Sequence, residues 1–482
     1  MLSVASVKSA SGAAEYFAKD DKHPADYYVG DGGEGGVAGE GGPGDGGAGS
    51  GSGESNGAGS GGTQTGSSHG TEKTGWEGKG AELLGLSGEV TKDAFEKILN
   101  GELPSGEKIG QVPNRQSGLD LTFSMPKSAS ILALVSGDER ILNAHWSAVK
   151  ETMSWVEGKF AEGRTYERTK SGEPVKTGNL VYALFAHETS RALDPQGHIH
   201  VVIANLTRMA NGAWQALHNG QLWKNNSVIG AAYHAAFREK LAELGYETRI
   251  TGKHGQFEIN GVPKEAIDEF SKRREAIVEK AKELGLSSPA AIDKVTTNTR
   301  DPKLNVEDRE KLAADWRERA AAIGFDGKQV IEEAKSRAAG NTPDKLTTPT
   351  QRLSETISNI VTALGGVFKE KDPLVTQGLE RLKFSPDELR AQAAVASAIR
   401  ILEQREAAFP IPQITKTALD LGLRGVTADK VDARVEQLLE SGNLIPGQSN
   451  RIDGALTHVT TPHALATESL ILAQIDRGRG AA

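Results

Sequence analysis

The sequence predicts an α+β protein: helices packed on an antiparallel sheet, followed by a mainly helical region with a winged-helix pattern. Three observations carry this expectation. Strand-like alternation recurs in GLDLTFSMPKS (118–128), NLVYALFAHETS (179–190) and HIHVVIANLTR (198–208). The second and third of these are joined only by RALDPQG, rich in turn residues, which makes them a hairpin. Around such adjacent strand pairs lie stretches with helical spacing, the mixture expected of an α+β domain.

In chain order, LSVASVKS at the N-terminus reads as a strand, and AAEYFAKDDKHPADYYV follows it. From Gly30 to about Thr74 the chain is mostly Gly, Ser, Glu and Asp, with almost nothing to bury, and reads as a disordered loop. Residues 1–29 are too few to form a domain, so this loop reads as an insertion within one domain spanning 1–300. WEGKGAELLGLSGEVTKDAFEKILNGELP (76–104) is helical in pattern. Leu142, Trp146, Val149, Met153, Val156 and Phe160 recur at helical spacing and read as a core stripe. A helix from about Ser227 to Leu244 is expected next, then a second hairpin in YETRITGKHGQFEIN (246–260).

Residues 301–350 read as a connecting segment that runs into the polar TPDKLTTPTQ (342–351). Helical patterns dominate from Gln351 to Ala408. TALDLGL (417–423) and TADKVDARVEQLLESGNLI (427–445) then read as two short helices, the second capped by Gly442. LIPGQ and ALTHVTTP supply two short strands after it. Helix, helix, hairpin is a winged-helix order, and equally that of a small interaction module with no DNA contact.

Composition sets outer limits. There is no cysteine, which excludes disulfides and thiolate metal sites and suits a reducing cytosol. The N-terminus lacks a secretory signal pattern, and no stretch approaches the roughly 18 apolar residues of a membrane helix. The formal net charge of −8 argues against a nonspecific nucleic-acid coat but leaves room for a local basic groove.

The chemistry concentrates in a few residues. His198 and His200 are two apart on a strand, so their side chains leave the same face. A tight hairpin turn brings His187 beside them, and three imidazoles on one face form a metal site with positions left open for substrate oxygens. The bland alternative is three polar residues on a solvated face. Asp120 shares a strand face with Thr122 and Ser124, opposite Leu121 and Phe123. It suits a carboxylate that fixes a ligating histidine, a proton acceptor, or a plain exposed acid. Of seven tyrosines, three fall at Tyr16, Tyr27 and Tyr28. A free phenol has a pKa near ~10, so a nucleophilic tyrosine needs a metal, a base or a cation beside it. Packing is the ordinary use of any single one.

Together these stretches resemble the large conjugative relaxases of F-like and R388-like plasmids, HUH endonucleases. The resemblance runs from Leu2 to about Ile277 and more loosely to the end, with the N-terminal strand, the tyrosine region, WEGKGAELLGLSG, GLDLTFSMPKS, GNLVYALFAHETSRALDPQGHIHVVIANLT and GYETRITGKHGQFEINGVP in the family's order. It implies His187, His198 and His200 as the metal triad, with Mg²⁺ or Mn²⁺ as the working ion, and Asp120 as the acid beside them. It implies Tyr16 as first nucleophile, and Tyr27 and Tyr28 as the second pair. Where the family often has a second tyrosine, this chain has Phe17, which leaves Tyr16 alone at that site. The Gly-rich insertion is a second departure.

The implied activity is site- and strand-specific cleavage of single-stranded origin-of-transfer DNA beside a hairpin, through a 5′-phosphotyrosine, followed by rejoining. Implied partners are that DNA, accessory transfer proteins, a coupling protein and a type IV secretion system. The implied location is the bacterial cytoplasm, with passage into the recipient. Lys127, Lys253, His254, Lys272, Arg273 and Arg274 are candidates for the DNA groove, and Trp76 and Trp214 for base stacking. The C-terminal region is similar to the start of the family's helicase half, but the chain has no GxxxxGK[ST]. Rival readings are a rolling-circle replication initiator, whose tyrosine normally follows its histidines, a silent DNA-binding module, and a metal hydrolase that uses water.

Overall fold

The structure is a computed structural model that describes residues 2–18, 73–110, 115–190, 192–252, 255–283, 285, 309–340 and 372–479. Most of the Gly-rich insertion, Tyr27, Tyr28, Lys253, His254 and the stretch 351–371 lie outside the described residues. Among the described residues, no helix is long and apolar enough to cross a membrane.

Five strands form the central sheet: β1 (Leu2–Val7), β2 (Thr74–Glu77), β3 (Gly118–Ser124), β6 (Tyr182–Thr189) and β7 (Pro195–Ala204). Between them in sequence lie β4 (Glu162–Thr165) and β5 (Glu173–Lys176), a separate hairpin. The order in the sheet is β1-β3-β7-β6-β2, and every pairing is antiparallel. The expected hairpin of histidine-bearing strands is therefore present, and β3 lies directly against it.

Side chains alternate between the sheet's two faces, and both faces are covered. Leu119, Leu121 and Phe123 of β3, Tyr182 and Leu184 of β6, and Ile199, Val201 and Ile203 of β7 enter one core. The helices Glu139–Phe160 and Asn226–Glu243 close that core with Val149, Met153, Val156, Phe160, Tyr233 and Phe237. The predicted core stripe is thus mostly buried, with Leu142 and Trp146 at its edge. Ala183, Phe185, Val202 and Ala204 enter a second core under the helices Ala10–Phe17 and Lys92–Leu99. The three histidines and Asp120 continue this second set by alternation.

Two local expectations are corrected. Trp76 and Glu77 do not begin a helix. They belong to β2, where Trp76 pairs with Ala183 and covers the sheet edge; the helices Lys79–Leu83 and Lys92–Leu99 follow. The link RALDPQG is also shorter than it reads, because β7 begins at Pro195. Gly197 is thus a strand residue, and a β-carbon there would run into the Met125 methyl. That methyl ends a flexible side chain that can give way, so the contact favours a small residue there without demanding glycine.

Small ribbons follow: β8 (Thr207–Arg208) with β9 (Trp214–Gln215), and β10 (Thr248–Ile250) with β11 (Phe257–Ile259), the second hairpin anticipated from sequence. Near the C-terminus, the helix Pro386–Glu403 starts with a Ser385/Glu388 capping box and Pro386 in its first turn. Then come β12 (Ala408–Pro410), the helices Ile411–Asp420 and Ala428–Glu440, β13 (Ile445–Pro446) and β14 (His458–Thr460), with β14 central in its sheet. This is the winged-helix order. Gly442, at φ 72°, lies just past the second helix as expected of its cap. The module's core takes in Ala231 and Ala232 of the helix Asn226–Glu243. Asp432 accepts from the Trp155 indole at 2.7 Å and pairs with Lys159 at 2.8 Å. Arg451, between β13 and β14, pairs with the buried Glu162 of β4 at 2.7 Å.

Candidate metal and strand-transfer site

The site is built on the second face of the sheet. In register, Ser124 lies opposite His198 and Thr122 opposite His200 on one side of β7, while His187 lies opposite His198 on the other. The ladder is irregular between His187 and Thr189, so the histidine-bearing end of β6 is where regular pairing stops. The three imidazole centroids form a near-equilateral triangle with sides of 5.3, 5.1 and 5.2 Å. One ring nitrogen from each lies within 4.8 Å of the others, which suits a shared metal ion. His187 and His200 are buried and His198 half-buried, so the triangle is not three residues on a solvated face.

Hydrogen bonds define the ring orientations. Asp120, fully buried, holds His200 Nδ1 at 2.9 Å with one carboxylate oxygen and 3.1 Å with the other. Thr122 Oγ1 lies 3.1 Å from the same nitrogen. His198 Nδ1 lies 2.9 Å from the Gln196 carbonyl. The Asp120 carboxylate and the Gln196 carbonyl can only accept, so each holds a proton on Nδ1 and leaves the Nε2 lone pair for a metal. The donor set therefore fits a divalent cation: three neutral imidazoles, two with fixed tautomers. Asp120 is not an exposed strand acid, and its carboxylate faces the imidazole.

The helix Ala10–Phe17 lies over this face. Its buried residues Ala10, Ala13, Ala14 and Phe17 follow helical spacing, which presses Phe17 into the core and leaves Tyr16 half-buried at the edge. Ser9 caps the helix by accepting from the Gly12 N–H. Phe17 stacks on Phe185 at 5.2 Å and lies 4.9 Å from the His200 ring. The Tyr16 ring lies 6.0 Å from His187 and 6.2 Å from His200. The structure thus brings together Tyr16, Asp120, His187, His198 and His200.

The remaining candidates divide. Lys127 donates to the Pro195 carbonyl at 2.9 Å, and burial draws its amine down to about 8. It fastens the start of β7 instead of lining an open groove. Trp76 is a core residue beside Phe95, not a stacking platform, whereas Trp214 is half-buried. Lys272, Arg273 and Arg274 start the helix Lys272–Glu283, and the side chains of the two arginines lie outside the described part. Sequence reasoning missed two contributors. Thr122 carried a signal, its shared face with Asp120. The Gln196 carbonyl carried none, because a backbone acceptor is invisible in residue type.

Comparison with known proteins agrees with this geometry. Multifunctional conjugation protein TraI of Escherichia coli is 41% identical over 276 residues, 55% of this chain and 15% of that protein. The chain therefore matches a small part of this much longer relative. A structure of TrwC with a 27-mer DNA comprising the recognition hairpin and the cleavage site is 41% identical, with a TM-score of 0.50, covering 53% of this chain and 92% of that one. A metal-bound structure of the conjugative relaxase TrwC with oriT DNA is 33% identical, with a TM-score of 0.53, covering 68% of this chain and all of that one. The TrwC relaxase family model matches residues 63–323, just over half of the sequence, and the chain belongs to that family.

Proposed function

We propose that this chain is a conjugative relaxase that cleaves one strand of origin-of-transfer DNA by tyrosine attack and can rejoin it. The observation that carries the reading is Tyr16 standing 6.0 and 6.2 Å, ring to ring, from His187 and His200. The family relationship and the DNA-bound TrwC structures support the substrate class.

Tyr16 is the nucleophile. Its phenolic oxygen bonds to the scissile phosphorus, the bond from phosphorus to the 3′-oxygen breaks, and the phenol's proton is balanced by the one gained by the 3′-hydroxyl. The 5′-phosphate stays on Tyr16, so the bond energy is kept and rejoining needs no ATP. His187, His198 and His200 would hold a divalent ion, Mg²⁺ or Mn²⁺ in function, which supplies charge for the non-bridging phosphate oxygens. Asp120 keeps His200 in the ligating tautomer, with Thr122 beside both. Phe17 packs under the histidines and keeps water from that side. Tyr27 and Tyr28 are the candidates for a second transfer. Residues 1–300 are read as the nuclease domain, 301–350 as a connection whose helices Arg309–Ala322 and Gly327–Gly340 pack into that domain's core, and 351–482 as the winged-helix-like region. Accessory transfer proteins, a coupling protein, a type IV secretion system and a cytoplasmic location belong to the same reading. The order of the chain favours it over a rolling-circle initiator, because Tyr16 precedes the histidines.

The test is a denaturing gel. Single-stranded oligonucleotides tiling the transfer region of the source plasmid are incubated with the protein and Mg²⁺ or Mn²⁺. A shifted covalent band that needs metal and is lost in Tyr16→Phe is expected. Cleaved fragments without an adduct would overturn the tyrosine mechanism in favour of water attack, and binding without cleavage on every tile would leave a silent DNA-binding module.

A further inference from the structure

The turn that joins the two metal strands is held from outside the sheet. Residues 190–194 connect β6 and β7, and so connect His187 to His198 and His200. Within the turn, the Ser190 N–H donates to the Asp194 carbonyl at 2.9 Å, and the Leu193 N–H to the Ser190 carbonyl at 3.0 Å. Leu193 has φ 58°, the one positive φ outside glycine among the described residues. That conformation is unfavourable for a side-chain-bearing residue and persists only where surroundings impose it.

Those surroundings come from two helices that follow the sheet in sequence. The buried Trp316 donates its indole N–H to the Leu193 carbonyl at 2.9 Å. Arg319, one turn on, reaches the buried Asp194 carboxylate at 3.3 Å. The other Asp194 oxygen accepts from the Lys272 backbone N–H at 3.0 Å. Arg319 is itself held by Glu269 at 2.8 Å and lies over the Phe270 ring at 4.7 Å. Trp316 and Arg319 therefore grip the strained residue and its neighbour, four positions before His198.

We infer that the helix Arg309–Ala322 is a clamp on the metal hairpin, with Trp316 and Arg319 as positioning residues that set His187 against His198 through the strained Leu193 turn. This rests on the metal-site reading above. Removing the grip lets Leu193 leave the left-handed region, and the end of β6, already irregular after His187, shifts relative to β7. The triangle opens without loss of any ligand.

The test uses the full chain and Mn²⁺ alone, titrated calorimetrically and followed by the electron paramagnetic resonance of bound Mn²⁺. Trp316→Phe removes the N–H donor and keeps a ring; Arg319→Gln removes the guanidinium charge that faces Asp194. Each is expected to weaken Mn²⁺ binding about 3- to 10-fold, below the roughly 10- to 100-fold typical of groups bonded directly to a ligand. Leu193→Asn, which tolerates positive φ, is expected to change affinity less than about twofold alone and to restore much of the loss in the Trp316→Phe background. Unchanged Mn²⁺ affinity in both clamp variants overturns the inference. So does a loss that Leu193→Asn leaves untouched, since the effect is then not transmitted through the turn. Failure of the unaltered chain to bind Mn²⁺ overturns instead the metal-site reading beneath it.

Discussion

Replacing Asp120 by Asn tests the carboxylate's work with the least change in volume. The side chain is fully buried, and both oxygens lie within 3.1 Å of His200 Nδ1. Asparagine keeps one carbonyl oxygen but removes the charge that stabilises a ring donating its Nδ1 proton while Nε2 meets a cation. The amide can also turn its NH₂ toward Nδ1, which favours the tautomer with the proton on Nε2 and removes the ligating lone pair. Thr122 Oγ1, 3.1 Å away, accepts from Nδ1 and limits the damage. Carboxylates in this position typically change metal affinity about 10- to 100-fold, or about 1.4–2.8 kcal/mol. With the retained threonine, about 10- to 30-fold is expected, measured as the Mn²⁺ dissociation constant by calorimetry. Single-turnover nicking by the variant should then recover when Mn²⁺ is raised by the same factor. An affinity within twofold of the parent refutes the reasoning. Weak nicking at saturating Mn²⁺ refutes it differently, by making Asp120 the proton acceptor for the nucleophile.

Two further outcomes follow from buried charge. His145 is buried against Tyr233, whose hydroxyl lies 3.0 Å from its Nδ1, and burial holds its pKa down at about 3 against 6.5 when unfolded. Because the folded value is depressed, the unfolded chain binds the extra proton first, so this contribution is complete above pH 6.5 and is lost as pH falls toward 3. Between pH 7 and pH 5, urea unfolding should lose about 2 kcal/mol more in the parent than in His145→Gln; equal losses would sink the assignment. Arg451→Ala leaves the buried Glu162 without its guanidinium partner and removes the bond to the Pro174 carbonyl of β5, while Asp453 still accepts from the Lys176 N–H. A stability loss of about 2–3 kcal/mol is expected, with Mn²⁺ affinity unchanged. A loss below about 0.5 kcal/mol would show that the winged-helix module is not braced there.

Much of the site could be read from spacing. Two-residue alternation places His198 with His200 and Asp120 with Thr122 on common faces whatever the surroundings, because strand geometry alone dictates it. Helical spacing likewise separates Phe17, which joins Ala10, Ala13 and Ala14, from its neighbour Tyr16. The groove candidates were less legible. Lys127 looks like any surface lysine in sequence, yet its amine is tied to Pro195, and Trp76 offers a ring that the sheet edge has already claimed.

By itself the sequence determined the α+β class, the histidine hairpin, the core stripe of the long helix, the winged-helix order and the family. Only the tertiary structure decided that β3 lies beside β7, which puts Asp120 against a histidine 80 residues away. Only it decided that Trp316 and Arg319 reach back to the turn before His198. The physical reason is range. Periodicity is local and survives in any context, whereas strand order and helix docking are set by which distant surfaces exclude water together, and residue spacing does not record that choice.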